Sequence, residues 1–187
     1  MTVGILALQG AFIEHQQMLK TLYVNSFLIR TLDDLNAPMD GIILPGGEST
    51  AIFRLLNEFN MTQVLKEKIT AGLPVLGTCA GMILLADEII NQDALLSLMP
   101  VTVKRNAYGR QLGSFMTNGL FDGKTIPMTF IRAPYIEKCH DDVLVLSAVD
   151  GHIVAVKYKN MLATAFHPEL TDSTTVLSYF LKMIEKI

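Results

Sequence analysis

The most informative segment of this sequence is Gly72-Leu-Pro-Val-Leu-Gly-Thr-Cys-Ala-Gly-Met-Ile-Leu-Leu-Ala86. Its pattern predicts a short buried strand, a sharp turn that carries Cys79, and then an apolar helix. A cysteine placed at a helix N-terminus is stabilised as the reactive thiolate. An isolated free cysteine is more often a plain core residue. The interpretation of Cys79 as a nucleophile therefore depends on its flanking glycines and on other parts of the chain.

Upstream of this segment, apolar strands alternate with amphipathic helices. Apolar residues at helical spacing predict helices over residues 12–22, 52–59 and 62–71. Short apolar runs predict strands at Val3–Leu8, Ser26–Ile29, Gly41–Leu44 and Pro74–Thr78. Such alternation is typical of an α/β fold, in which helices cover both faces of a parallel sheet.

The second half of the chain has a different pattern. Its short strand candidates follow one another at the spacing of hairpins, and Asp150-Gly151 is a strong turn signal. The candidates are Val101–Lys104, Gly113–Thr117, Met128–Ile131, Val143–Val149, Ile153–Tyr158 and Leu162–Ala165. A last helix is expected from about Asp172, capped by Asp or Ser. No linker or repeat interrupts the pattern, so we expect a single domain over residues 1–187.

Composition argues against several classes of function. The 187 residues are 50% hydrophobic and 18% charged, with a net charge of -3 and no basic run, so we expect no nucleic-acid partner. No apolar segment approaches a membrane span, and the N-terminus lacks the basic leader of a signal peptide. The two cysteines are then expected to be reduced thiols of a cytoplasmic protein. No metal-ligand spacing or dinucleotide fingerprint occurs, so neither a metal nor a cofactor is expected.

A second candidate element, Pro45-Gly-Gly-Glu-Ser-Thr50, follows a predicted strand and opens a predicted helix. Two glycines let a backbone approach a ligand closely and direct its N–H groups toward it. The backbone N–H of Ala80, which begins the helix after Cys79, is also free of an intrahelical partner. The Ala80 N–H is one candidate donor for stabilising an oxyanion. Taken alone, however, the glycine pair also fits an ordinary strand-to-helix turn.

A third element, His167-Pro-Glu169, follows the last predicted strand. Pro168 favours an extended His167, which would place Glu169 on the same side of the chain. A carboxylate that orients an imidazole produces a base for a thiol and an acid for a leaving amine. Of the other histidines, His15 is expected in the core or at its rim, and His140 and His152 are expected in solvated turns.

These elements resemble the class I glutamine amidotransferase family and, within it, the glutaminase subunits of pyridoxal 5'-phosphate synthase. The matching motifs occur in family order from residue 8 to residue 171. They are Leu8-Gln-Gly-Ala-Phe, Leu44-Pro-Gly-Gly-Glu-Ser-Thr, Gly77-Thr-Cys-Ala-Gly-Met, Arg105-Asn-Ala-Tyr-Gly-Arg-Gln, Phe130-Ile-Arg-Ala-Pro and Phe166-His-Pro-Glu-Leu-Thr. The resemblance implies a three-layer, flavodoxin-like sheet with additional antiparallel strands in the second half.

The resemblance also implies roles for individual residues. Cys79, His167 and Glu169 would be the catalytic triad for hydrolysis of L-glutamine, through a thioester intermediate. The backbone N–H groups of Gly47 and Ala80 would form the oxyanion hole. Glutamine would be bound by Gly47, Glu48, Ser49, Arg105, Ile131 and Arg132. A guanidinium suits the α-carboxylate because it binds in a bidentate manner, and a surface ion pair stays open as the alternative for both arginines.

The implied partner is a separate (β/α)8-barrel synthase subunit in a large hetero-oligomer, which would receive the ammonia. We expect the Gln9-Gly10-Ala11 turn and the following helix near that interface. Two positions depart from the family: Gly113 replaces an acidic residue, and Leu22-Tyr-Val-Asn25 lacks the usual glycine. The alternatives are an amidotransferase subunit of histidine or purine biosynthesis, a catalytically silent binding module, and a protease or stress-protein relative.

Overall fold

The computed structural model describes residues 1–106, 113–140 and 142–186, which contain twelve strands and six α-helices. The strands are β1 (Thr2–Leu6), β2 (Asn25–Ile29), β3 (Gly41–Leu44), β4 (Val75–Thr78), β5 (Ala86–Ile89), β6 (Met99–Lys104), β7 (Ser114–Phe121), β8 (Lys124–Ile131), β9 (Tyr135–Cys139), β10 (Leu144–Val149), β11 (His152–Tyr158) and β12 (Met161–Thr164). The helices are α1 (Phe12–Thr21), α2 (Leu32–Asn36), α3 (Ser49–Glu58), α4 (Thr62–Thr70), α5 (Ala80–Leu85) and α6 (Thr175–Ile184). A single 3-10 turn spans Pro168–Leu170.

Ten of these strands form one mixed sheet in the order β2-β1-β3-β4-β12-β11-β9-β6-β5, with β10 paired to β11. The five strands from β2 to β12 are parallel to one another, and β11, β9 and β6 continue the sheet in antiparallel fashion. The parallel part has the doubly wound 2-1-3-4-5 order of flavodoxin-like folds, with β12 as its fifth strand. This confirms the predicted α/β class, a mostly parallel sheet followed by antiparallel strands.

The central parallel strands are buried on both faces. Every residue of β3, β4 and β12 is buried, which is the reason that these segments are continuous apolar runs and do not alternate. The α3 and α4 helices turn Ile52, Leu56, Leu65 and Ile69 into the same core. The α3 helix begins at Ser49, three residues before the predicted start, and the other boundaries of these elements follow the sequence prediction to within one residue.

Other boundaries differ from the prediction. The first strand ends at Leu6, not Leu8, because the chain already turns toward Gln9. The last helix begins at Thr175, and neither Asp172 nor Ser173 is its N-cap residue. The predicted strands Gly113–Thr117 and Met128–Ile131 are parts of a long hairpin, β7–β8, whose turn is Asp122-Gly123. Among the described residues, α2, β5 and β9 were not predicted.

One family departure has a visible structural consequence. Tyr23 has a φ of 57° and is 97% exposed, so a bulky residue takes up a left-handed conformation where glycine would be unstrained. The strain lies in the α1–β2 connection, away from the strand ends that carry the candidate site. Among the described helices, none is long and apolar enough to cross a membrane.

Candidate active site

The candidate site lies where the parallel strands end. Adjacent pairing of β1 with β3, β3 with β4, and β4 with β12 brings together the segments that follow these four strands. These segments contain Gln9, Gly46-Gly47, Cys79 and His167. A crevice outside the carboxyl ends of the strands is where open α/β sheets bind ligands.

Cys79 occupies a strained turn between β4 and α5. Its backbone has φ 47° and ψ -98°, and its N–H donates to the carbonyl of Thr164 at 2.7 Å. A Cβ on Gly77 would lie 2.7 Å from the Gly81 backbone, and a Cβ on Gly81 would lie 2.0 Å from the Leu44 carbonyl oxygen. The turn over residues 77–81, called the cysteine turn below, therefore requires both glycines. A strained, tightly packed nucleophile position is a common feature of catalytic sites.

His167 and Glu169 form a buried pair. The Nδ1 atom of His167 lies 2.7 Å from Oε1 of Glu169, and the His167 backbone N–H donates to the carbonyl of Thr129 at 2.8 Å. The pairing does not arise from an extended segment, as the sequence suggested, because Pro168–Leu170 turn into a 3-10 conformation. This turn folds the carboxylate back onto the ring.

The positive charge of His167 and the negative charge of Glu169 stabilise each other. Burial by itself lowers the pKa of His167, but the interactions with Cys79 and Glu169 outweigh it and raise that pKa to about 10. Burial raises the pKa of Glu169, while the two nearby imidazoles and its hydrogen bonds lower it overall. The cluster therefore holds an imidazolium between a sulfur and a carboxylate at neutral pH. The thiol itself is 6% exposed and lies 4.0 Å from the Ile131 carbonyl oxygen.

The glycine loop, residues 45–48, packs directly against the base. A Cβ on Gly46 would lie 2.3 Å from Cε1 of His167, so the loop and the ring are in contact. The first turn of the chain holds this loop, because Ala11 N–H donates to the Gly46 carbonyl at 2.9 Å and Glu48 N–H donates to Gln9 Oε1 at 2.8 Å. Gly47 is exposed at the mouth of the site, and Ala80 is buried as the first residue of α5.

Two of the proposed substrate residues bind each other. An Nη2–H of Arg105 donates to Oε1 of Glu48 at 2.8 Å, and its Nη1–H donates to Gln92. Oε2 of Glu48 accepts from Ala51 N–H at 2.9 Å and from the Thr50 hydroxyl, so Glu48 also caps α3. Burial raises the pKa of Glu48, but these hydrogen bonds and Arg105 hold it below its usual value. An ion pair thus stands at the site, partly exposed.

The remaining predicted substrate residues differ in their exposure and in their contacts. Ser49 is buried, and its hydroxyl has no hydrogen-bond partner among the described residues. Ile131 contributes the carbonyl that faces the thiol. Arg132 is exposed, has φ 43°, and donates its N–H to the Gly113 carbonyl. Most of the Arg105-Asn-Ala-Tyr-Gly-Arg-Gln motif, residues 107–111, lies outside the described residues.

The sequence-based interpretation missed the role of His15. This side chain is indeed in the core, but Nε2 lies 3.4 Å from Oε2 of Glu169 and 3.2 Å from the hydroxyl of Thr78. A fully buried polar side chain needs a partner, and that requirement was the available signal.

Of the other histidines, His140 is exposed as expected, whereas His152 begins β11 and stacks on Tyr135 with their ring centroids 4.0 Å apart. In the part of the chain that is described, no group of three His, Cys, Asp or Glu side chains is arranged to hold a metal ion.

The sequence that forms this site also matches a known protein family. The sequence matches the SNO glutamine amidotransferase family over residues 5–186. The chain belongs to the SNO glutamine amidotransferase family. A relative from Desulfitobacterium hafniense (strain DSM 10664 / DCB-2), named pyridoxal 5'-phosphate synthase subunit PdxT, is 53% identical over 186 residues, covering 98% of this chain and 94% of the relative.

The same family resemblance extends to a second relative and to a solved structure. The protein of the same name from Methanocorpusculum labreanum is 52% identical over 185 residues and 98% of each chain. A crystal structure described as a glutamine amidotransferase superposes with a TM-score of 0.93 and 37% identity over 98% of each chain. This SNO-family chain therefore has the class I amidotransferase fold that its motifs implied.

Proposed function

We propose that this chain is the glutaminase subunit of a pyridoxal 5'-phosphate synthase, and that Cys79, His167 and Glu169 catalyse the hydrolysis of L-glutamine. The observation that carries the proposal is the position of the Cys79 thiol beside the His167–Glu169 pair, at the strand ends of a family member. The relatives at 53% and 52% identity are named as subunits of that synthase, which supports the choice of pathway.

The first chemical step forms a thioester. The Cys79 sulfur attacks the side-chain carboxamide carbon of glutamine, and the carbonyl oxygen becomes an oxyanion. Backbone N–H groups of Gly47 and Ala80 stabilise that charge in our assignment. His167 then donates a proton to the amide nitrogen, the C–N bond breaks, and ammonia leaves. Glu169 keeps the imidazole oriented through both transfers.

The second step releases glutamate. A water molecule attacks the thioester carbon while His167 takes one of its protons. The C–S bond breaks, and the enzyme returns to its starting state with one glutamate produced for each ammonia. No external oxidant, metal or organic cofactor is needed for this sequence of transfers. The chemistry therefore requires only the residues of the cluster and water.

Charges of both signs at the opening suit an α-amino acid. Arg105 uses two of its five N–H donors for Glu48 and Gln92, so it retains donors for an α-carboxylate. Glu48, whose side chain is 47% exposed, offers an acceptor for the α-ammonium group. Gly47, Ser49, Ile131 and Arg132 complete the proposed substrate site around this pair.

We also assign a barrel-type synthase subunit as the partner that consumes the ammonia, with docking near the turn formed by Gln9, Gly10 and Ala11. The turn is tied to the glycine loop by the two hydrogen bonds at Gln9 and Ala11, so contact there would affect the oxyanion site.

Because the thiol must remain reduced to react, and both Cys79 and Cys139 are free, we place this activity in the cytoplasm.

The decisive experiment measures glutamate release with and without a purified barrel-type synthase subunit. Cys79→Ala should reduce glutamate release by at least about 10³-fold, because the nucleophile is lost. The assembled Cys79→Ala complex should still form pyridoxal 5'-phosphate when ammonium salts replace glutamine. Glutamine-dependent activity that survives in this variant would contradict the triad. Failure of ammonium to restore synthesis would contradict ammonia transfer.

A further inference from the structure

His15 is a polar side chain in a place where the surrounding fold uses apolar ones. It lies on α1, is 0% exposed, and is followed on the same buried face by Met18 and Leu19. Burying an imidazole costs free energy unless its nitrogen atoms find partners. An apolar side chain at this position would avoid that cost. The role of His15 is therefore inferred from the groups that its ring contacts.

Both partners belong to the catalytic segments. The His15 Nε2 atom lies 3.4 Å from Oε2 of Glu169 and 3.2 Å from the hydroxyl of Thr78. Thr78 is the residue immediately before Cys79 in the cysteine turn. The other carboxylate oxygen of Glu169 is 2.7 Å from His167. One histidine ring therefore contacts the support of the nucleophile and the support of the base.

The tautomer of His15 follows from these contacts. Nδ1 of His15 has no hydrogen-bond partner among the described residues, so a proton there would be a buried donor without an acceptor. A proton on Nε2 instead faces the Glu169 carboxylate and the Thr78 hydroxyl. Oε2 of Glu169 is buried and accepts no hydrogen bond from another described residue, and Nε2 of His15 lies 3.4 Å from it.

His15 acts in this cluster as a neutral donor and not as a cation. The charged groups that face it are Glu169 and His167 from the neighbouring segments and Glu14 from its own helix. Burial lowers the pKa of His15, and His167 lowers it further, against the opposing effect of the two glutamates. The single negative charge of Glu169 can offset only one positive charge. His167, which also faces the Cys79 sulfur, carries that positive charge.

We infer that His15 is a positioning residue of the active site, whose Nε2–H holds Glu169 in the rotamer that orients His167 and braces Thr78 beside Cys79. This inference extends the proposed function, since it adds a fourth member to the proposed triad. Losing the imidazole removes the polar contact at 3.4 Å that faces the buried Oε2 of Glu169. The carboxylate then moves or is protonated more easily, and the imidazole loses its fixed orientation.

The test compares two substitutions at this position. His15→Leu removes the donor but keeps an apolar core, and His15→Gln returns an N–H near the position of Nε2. We expect His15→Leu to lower kcat for glutamine about 10- to 100-fold, the usual effect of removing an outer-shell partner, with KM within about twofold. His15→Gln should stay within about threefold of the unchanged protein. The acidic limb of the kcat/KM profile should move to higher pH in His15→Leu only.

Met18→Ala is the matched control, because it creates a defect on the same buried face of α1 and removes a side chain that carries no N–H donor for Glu169. It should lower the melting temperature while leaving kcat unchanged. Equal kcat losses in Met18→Ala and His15→Leu at equal loss of stability would overturn the inference, and so would full activity of His15→Leu. If His15→Leu does not fold, His15→Met serves as the apolar variant, since methionine fills irregular space.

A second measurement does not depend on glutaminase activity. Alkylation of Cys79 by iodoacetamide at pH 7 is followed by peptide mass spectrometry, with Cys139 of the same chain as the internal reference. We expect the Cys79 rate to change at least about threefold in His15→Leu and to return toward the original value in His15→Gln. Identical rates in all three proteins would overturn the inference. Absence of glutamate release from the unchanged protein with its synthase partner would instead refute the proposed function.

Discussion

Adding a single methyl group at Gly46 should disable the base while leaving the fold in place. A Cβ on Gly46 would lie 2.3 Å from Cε1 and 2.8 Å from Nδ1 of His167. Ordinary van der Waals contact begins near 3.4 Å, so the ring must move by about 1 Å in Gly46→Ala. His167 is 6% exposed and bound to Glu169, so the ring has little space for that movement.

The magnitude follows from this displacement. A misplacement of about 1 Å in a catalytic group typically costs about 10²-fold in rate, or about 2.7 kcal/mol of transition-state stabilisation. Glutamine still meets the Glu48–Arg105 pair, so KM should change much less than kcat. The cost in the free energy of unfolding should be about 1 to 3 kcal/mol, as for other overpacked sites.

The assay is steady-state glutamate release with the synthase subunit present, together with thermal unfolding. Gly72→Ala is the control, because Gly72 has φ 110° and open space around its Cβ position. This control introduces backbone strain of about 1 to 2 kcal/mol without any contact at the site, so its kcat should be unchanged. A Gly46→Ala protein with the original kcat would refute the argument that the glycine loop packs against a fixed imidazole.

Two further predictions concern the charged groups. The pKa of His167 is raised from 6.5 to about 10, so its contribution to the free energy of unfolding is complete below pH 6.5 and is lost as the pH rises toward 10. The difference in urea midpoint between the unchanged protein and His167→Gln should therefore shrink across that range. A difference that stays constant with pH would contradict this prediction. Arg105→Lys removes planar, bidentate recognition, so KM for glutamine should rise about 10-fold with a smaller change in kcat, while Arg54→Lys on the exposed side of α3 should leave both constants unchanged.

Local sequence pattern was enough to find the elements that carry the chemistry. The strands of the parallel half and the turn at Cys79 were predicted because a buried parallel strand is a continuous apolar run and glycine marks tight turns. The sequence pattern predicts only part of the hairpin β7–β8, whose turn is Asp122-Gly123. Strands β5 and β9 pair with β6, which is distant from β9 in sequence, and local patterns do not reveal such pairing.

By itself, the sequence determined the parts of this protein: a cysteine in a glycine-flanked turn, a glycine loop, a His-Pro-Glu segment, and the family to which their order belongs. Only the tertiary structure decided which groups share the buried Glu169 carboxylate. His15 and Glu169 are far apart along the chain, and their Nε2–Oε2 distance of 3.4 Å results from packing α1 against the 3-10 turn after β12. Side-chain partnership depends on long-range packing and burial, and sequence periodicity reports only which face of an element is buried.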